Sequence, residues 1–153
     1  MKGERIDADR AQLELLLSIG SGAPLSAVLE FDDDYLERRQ QAAGAIDQVV
    51  RGANPLEAAR PFARGDAVTD LAIIYSLFAD ALRLALTDDE NLIKNRDMGE
   101  ILRTVTARIP GAGLVRCVDA IARDRRAAAG PSNPNVPLLF EALFIEIASE
   151  SAL

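Results

Sequence analysis

Acidic side chains gather at three places where they could do chemistry: Asp32, Asp33 and Asp34; Asp80, three residues before Arg83; and Asp88, Asp89 and Glu90. Adjacent carboxylates with no supporting histidine are poorly arranged for a metal, and three acids ahead of a helical pattern favour its dipole, so the first triplet reads as a solvated helix cap. Asp80 reads as one half of a local ion pair with Arg83, or as an acceptor towards a neighbouring helix. The third group falls in a polar connection and reads as solvated loop acids. Gly20, Ser21 and Gly22 could begin a phosphate cradle, but no Gly-Lys-Ser/Thr follows, so they read as a helix stop.

The 153-residue chain has no histidine. That removes the commonest general base, the usual zinc or iron ligand and every imidazole-dependent triad. Cys117 is the one cysteine, so an internal disulfide is impossible. With no apolar leader at the N-terminus, a reducing cytoplasm is the expected compartment. Arg116, Arg123 and Arg126 share one side of a helical pattern, but Asp119 and Asp124 lie among them, which makes a mixed solvated face. No catalytic residue, metal ligand or cofactor site is assigned, and the chain is expected not to be an enzyme. A net charge of -7 opposes direct binding to a phosphate backbone.

The elements that would position these groups are helical. Aromatic residues make up 5% of the chain and Trp is absent, while 49% is hydrophobic and rich in Ala and Leu. This bias suits close-packed helices better than sheets. The expected fold is all-α, a compact bundle around one long central helix from Asp66 to Leu86. On that helix Thr69, Ile73, Ser76, Asp80 and Arg83 form a narrow stripe, and apolar residues fill the remaining surface. Asp70, Asp80 and Arg83 interrupt the run well short of a membrane span.

Residues Met1 to Ala8 are polar and patternless, in keeping with a start residue and the frayed tail of a longer chain. Helices are expected from Asp9 to Ser18 and over Pro24 to Phe31. A third spans Tyr35 to Val50, and a short one opens at Asn54-Pro55. After the central helix, residues 87–97 read as an exposed polar loop ending in Asp97, the expected cap of a helix striped with Met98, Ile101, Leu102, Val105 and Ile109. Pro110 and Gly111 separate it from a helix reaching Ala129, with Leu114, Cys117, Val118 and Ile121 inward.

Asn135 is placed to cap the last helix. Glu141 and Glu146 divide its surface into two apolar arcs. The broad arc of Val136, Leu139, Phe140, Leu143, Phe144 and Ile147 is a core face. The narrow one, Leu138, Ala142 and Ile145, recurs at i, i+4 and i+7. A terminal helix rarely needs a second apolar face unless a partner protein covers it, so these three residues are the candidate subunit interface.

Three segments in order, Leu77 to Leu84 (LFADALRL), Asn91 to Leu102 (NLIKNRDMGEIL) and Asn135 to Ile147 (NVPLLFEALFIEI), resemble the C-terminal part of the delta-prime subunit of the bacterial DNA polymerase III clamp loader. The stretch LLLSIGSGAPLSAVLEF looks like the end of that family's helical lid domain. The resemblance divides the chain into residues 1–31, lid-like, and 32–153, a helical collar-type domain. It implies a non-catalytic oligomerisation scaffold packing with equivalent collar domains of gamma/tau and delta type subunits, with the nucleotide-binding modules N-terminal to the collar. Ser26 and Leu77 depart from the family pattern, which usually has Arg and Trp near those places. The alternative is an all-α regulatory domain that binds a small molecule in a pocket beside the central helix.

Overall fold

Most of the described helices begin where a side-chain oxygen can serve the free N–H groups or the helix dipole. In the computed structural model, which describes residues 33–151, α1 (Asp33–Val50) starts two residues before the expected Tyr35, bringing Asp33 and Asp34 into its first turn. Carboxylates there interact favourably with the helix dipole. At its other end Gly52 takes φ 101°, and Gly52 and Ala53 donate to the Val49 and Gln48 carbonyls. This reversal requires a left-handed residue, which glycine supplies without a Cβ clash. The helices expected at Asp9–Ser18 and Pro24–Phe31, and hence the lid-like segment, lie outside the described residues.

Helix α2 (Pro55–Ala59) is capped by Asn54, whose Oδ1 accepts from the Leu56 N–H at 2.9 Å. A 3-10 turn, Arg60–Phe62, follows. Helix α3 (Ala67–Thr87) is capped by Asp66, which accepts from the Thr69 N–H and hydroxyl. Asp88, in the left-handed region at φ 53°, ends it. After 3-10 turns at Glu90–Leu92 and Arg96–Met98 come α4 (Gly99–Arg108), α5 (Gly111–Ala129) and α6 (Val136–Ser151). The described residues contain no strand, so the all-α expectation holds.

Helix α3 makes its main contacts with α1, α4 and α5. Leu71, Ile74, Phe78 and Ala81 are essentially inaccessible to solvent. Helix α6 instead packs against α1, α2, α5 and the Arg60–Phe62 turn. There the Phe62 ring stacks on Phe140 and Phe144 at centroid distances of 5.2 and 5.5 Å. The centre is therefore shared: α3 organises one part of the core and α6 the other. At Gly113 of α5 a Cβ would meet Glu150 Oε2 at 2.8 Å and Ile109 Cγ2 at 2.9 Å, so a larger residue there would have to displace those side chains.

Two expectations about the 87–97 connection are corrected. Residues 90–92 are exposed, but Ile93 and Asn95 are buried. Asp97 does not cap α4, which begins after Met98 with no side-chain cap. Its carboxylate is held instead by Arg39 of α1, whose Nη1 and Nη2 donate to its two oxygens at 3.1 Å. A nearly buried guanidinium needs an anion more strongly than a helix start needs a cap.

Candidate functional site

Asn135 sets the start of α6: its Oδ1 accepts from the Leu138 N–H at 3.1 Å and its carbonyl from the Leu139 N–H at 3.0 Å. From that start the helical period turns Phe140, Leu143, Phe144 and Ile147 into the core, with Val136 and Leu139 half-buried beside them. It turns Leu138, Ala142 and Ile145 outward. Leu138 is 60% exposed and Ile145 49%, and Ala142 is exposed between them. The stripe extends over about 10 Å of helix axis at the usual rise. The structure thus brings the three predicted residues together on one solvent-facing strip.

One flank of α6 is fixed by ion pairs to α5. Arg116 donates from Nε and Nη2 to the two Glu150 oxygens at 2.7 and 2.8 Å, and Arg123 reaches Glu146 at 3.3 Å. The Arg116 guanidinium holds the Glu150 carboxyl below its ordinary pKa. Between the two helices runs a groove of about 600 Å³, lined in part by Arg116, Arg123, Arg126, Asp119 and Glu146. Cys117 is buried beneath it, and burial, reinforced by Glu150 and Glu146, pushes its thiol up to about 12. A thiol that remains protonated is a poor nucleophile and metal ligand. Two of the three arginines expected on a solvated face therefore tie helices together, while Arg126 makes no ion pair among the described residues.

Asp124, on the same helix, has a raised pKa, chiefly because burial disfavours its charge; Arg123 opposes the shift and Glu146 adds to it. The folded chain thus holds this proton to higher pH than the unfolded chain does. The stability tied to Asp124 is greatest below the unfolded pKa of about 4 and falls as pH rises through the folded value. Asp124→Asn should therefore gain stability relative to the parent as pH increases from 3 to 6, read by urea denaturation at each pH. The opposite slope would show that Arg123 outweighs burial.

The other acidic groups do not converge. Asp80, fully buried on α3, accepts Arg83 Nη1 on Oδ1 at 2.7 Å, and on Oδ2 the N–H groups of Lys94 and Asn95 at 2.9 and 2.7 Å and Asn95 Nδ2 at 2.7 Å. A carboxylate with four donors has little capacity left to move a proton or hold a metal. Asp89 accepts from the Asn91 N–H, and Glu90 pairs with Arg103. Among the described residues no group of three or more His, Cys, Asp or Glu is placed to hold a metal ion. Buried side chains cover most of α3, and the recess that remains beside it, about 330 Å³ between α3 and α5, is lined in part by Val68, Tyr75, Arg125 and Arg126. No helix is long and apolar enough to cross a membrane among the described residues.

Arg39 and Asn95 are buried polar residues whose pairing the sequence pattern does not show. Arg39 Nη2 donates to Asn95 Oδ1 at 2.7 Å as well as to Asp97. One local signal marks Arg39: it falls between Tyr35, Ala42 and Ile46 on the apolar stripe of α1. An arginine at such a position needs a buried partner.

Comparison with known proteins adds two observations. The family described as DNA polymerase III, delta subunit, C terminal, matches residues 33–149. A relative, DNA polymerase III subunit delta' of Pseudomonas aeruginosa, is 26% identical over 147 residues, covering 94% of this chain and 44% of that protein. The chain thus spans less than half the length of the relative. No solved structure matches it.

Proposed function

We propose, because this chain belongs to the family of C-terminal domains of the DNA polymerase III delta subunit, that it is a non-catalytic scaffold which holds a bacterial clamp loader together. In this reading it packs with the equivalent helical domains of gamma/tau and delta type subunits in the cytoplasm. It needs no cofactor of its own and makes no direct contact with nucleic acid. The observation that carries the reading to particular residues is the exposed strip Leu138, Ala142 and Ile145, separated by Glu141 and Glu146 from the arc that α6 spends on its own core. A shape-complementary helix face would remove those side chains from water, whereas the free chain leaves them wet.

Ile145→Arg places a charge in such a contact. Because a long arginine can bend its head towards the polar edge, the expected loss is about 2 kcal/mol of association, some thirtyfold in affinity. The measurement pairs the melting temperature of the variant chain with its co-purification against a gamma/tau-type collar domain. Weaker association with an unchanged melting temperature supports the interface. Unfolding of the variant alone would make the strip internal core, and no change in either quantity would move the partner surface elsewhere.

A further inference from the structure

We propose that residues 89–98 form a strap that opens as one unit ahead of the rest of the bundle, and that Asp80, through Asn95, is the latch that holds it shut. The strap contributes few apolar anchors. Ile93 and Met98 enter the core, while Leu92 remains 52% exposed. Its backbone bonds are local, Leu92 and Ile93 donating to the Asp89 and Glu90 carbonyls and Met98 to that of Asn95. Only its last turn is tied by backbone bonds to a helix, where the Gly99 N–H of α4 donates to the Arg96 carbonyl. At one end Asp88 supplies a left-handed hinge, and at the other α4 begins without a side-chain cap.

What fastens the strap is polar. Asp80 takes two successive strap N–H groups, those of Lys94 and Asn95, together with Asn95 Nδ2 on one oxygen. Asn95 Nδ2 also donates to Ser76 Oγ at 3.0 Å, and its Oδ1 accepts from Arg39. Arg83, Asp80, Asn95, Arg39 and Asp97 form a continuous series in which every contact is a hydrogen bond. Such a network fixes one geometry while burying little apolar area, so its opening free energy lies below that of global unfolding.

Native-state amide hydrogen exchange of the 153-residue chain in sub-denaturing guanidinium chloride tests the proposal. The Lys94 and Asn95 amides should exchange at least about tenfold faster than those of Leu77 and Phe78, relative to intrinsic rates, and with a much smaller dependence on denaturant. Asn95→Ala should accelerate exchange at Lys94 by a further factor of about ten or more, the loss expected when buried groups on Asp80 and Arg39 are left without the partner they had, and leave residues 114–121 unchanged. If Asn95→Ala does not fold, Ser76→Ala, which removes only one latch contact, should show the same selective pattern to a smaller extent. Strap amides in the parent chain that share the rate and denaturant dependence of α3 would overturn the proposal, as would a variant that accelerates all amides equally.

Discussion

Phe78→Ala is expected to lower the free energy of unfolding by about 3–5 kcal/mol, the usual result of removing a fully buried ring from a core that cannot collapse around the space. The ring is 1% exposed on α3, the helix that packs against α1, α4 and α5. The ring belongs to the continuous hydrophobic core, so its loss leaves a cavity in a close-packed interior. Urea denaturation at neutral pH measures the effect, with the slope against denaturant unchanged if only the folded core is damaged. The control is Leu86→Ala near the end of the same helix, where the side chain is 75% exposed and a change within about 0.5 kcal/mol is expected. A loss below about 1 kcal/mol at Phe78 would place that ring outside the cooperative core.

Local chemistry makes much of this arrangement legible before any coordinates. Asn54 and Asn135 cap the helices expected of them, because a cap is decided by residues two or three positions away. The two arcs of α6 follow from helical period alone, and the outward strip of Leu138, Ala142 and Ile145 is found where the period places it. Its exposure could be foreseen, but helical period does not say what, if anything, covers it. The connection after α3 defeats the same reasoning. Its residues are polar, and polarity in a loop ordinarily means solvent; here Asn95 is buried because Asp80, Ser76 and Arg39 all present matching groups to it. Asp97 has the composition of a cap, yet a guanidinium 58 positions earlier in the chain claims it. Pairings at that separation leave only a faint mark in one sequence, the misplaced arginine on the apolar stripe of α1. The division of the core between α3 and α6 is hidden for a similar reason, since periodicity assigns a face to each helix and does not say which helix will cover it.

That arginine carries the other large expected effect. The Arg39 side chain is 3% exposed and divides its donors among Asn95 Oδ1 and both oxygens of Asp97, whose own side chain is 36% exposed. Arg39→Ala removes the cation, leaves the buried Asn95 oxygen without this donor and opens a void beside α1. Water can reach Asp97 but not readily Asn95, so the penalty has both a polar and a packing component, together about 3–5 kcal/mol. Arg39→Lys should recover only part of it, because a single ammonium cannot reproduce the planar fork that meets the two Asp97 oxygens side by side. A double-mutant cycle with Asp97→Asn, followed by urea denaturation, separates the components: the two residues should couple by about 1–3 kcal/mol, with the uncoupled remainder of the Arg39→Ala loss belonging to Asn95 and the void. Strict additivity, or an Arg39→Ala loss below about 1 kcal/mol, would mean that desolvating the guanidinium cancels what its hydrogen bonds gain, and α1 would then be held to the 93–97 segment by its apolar stripe alone.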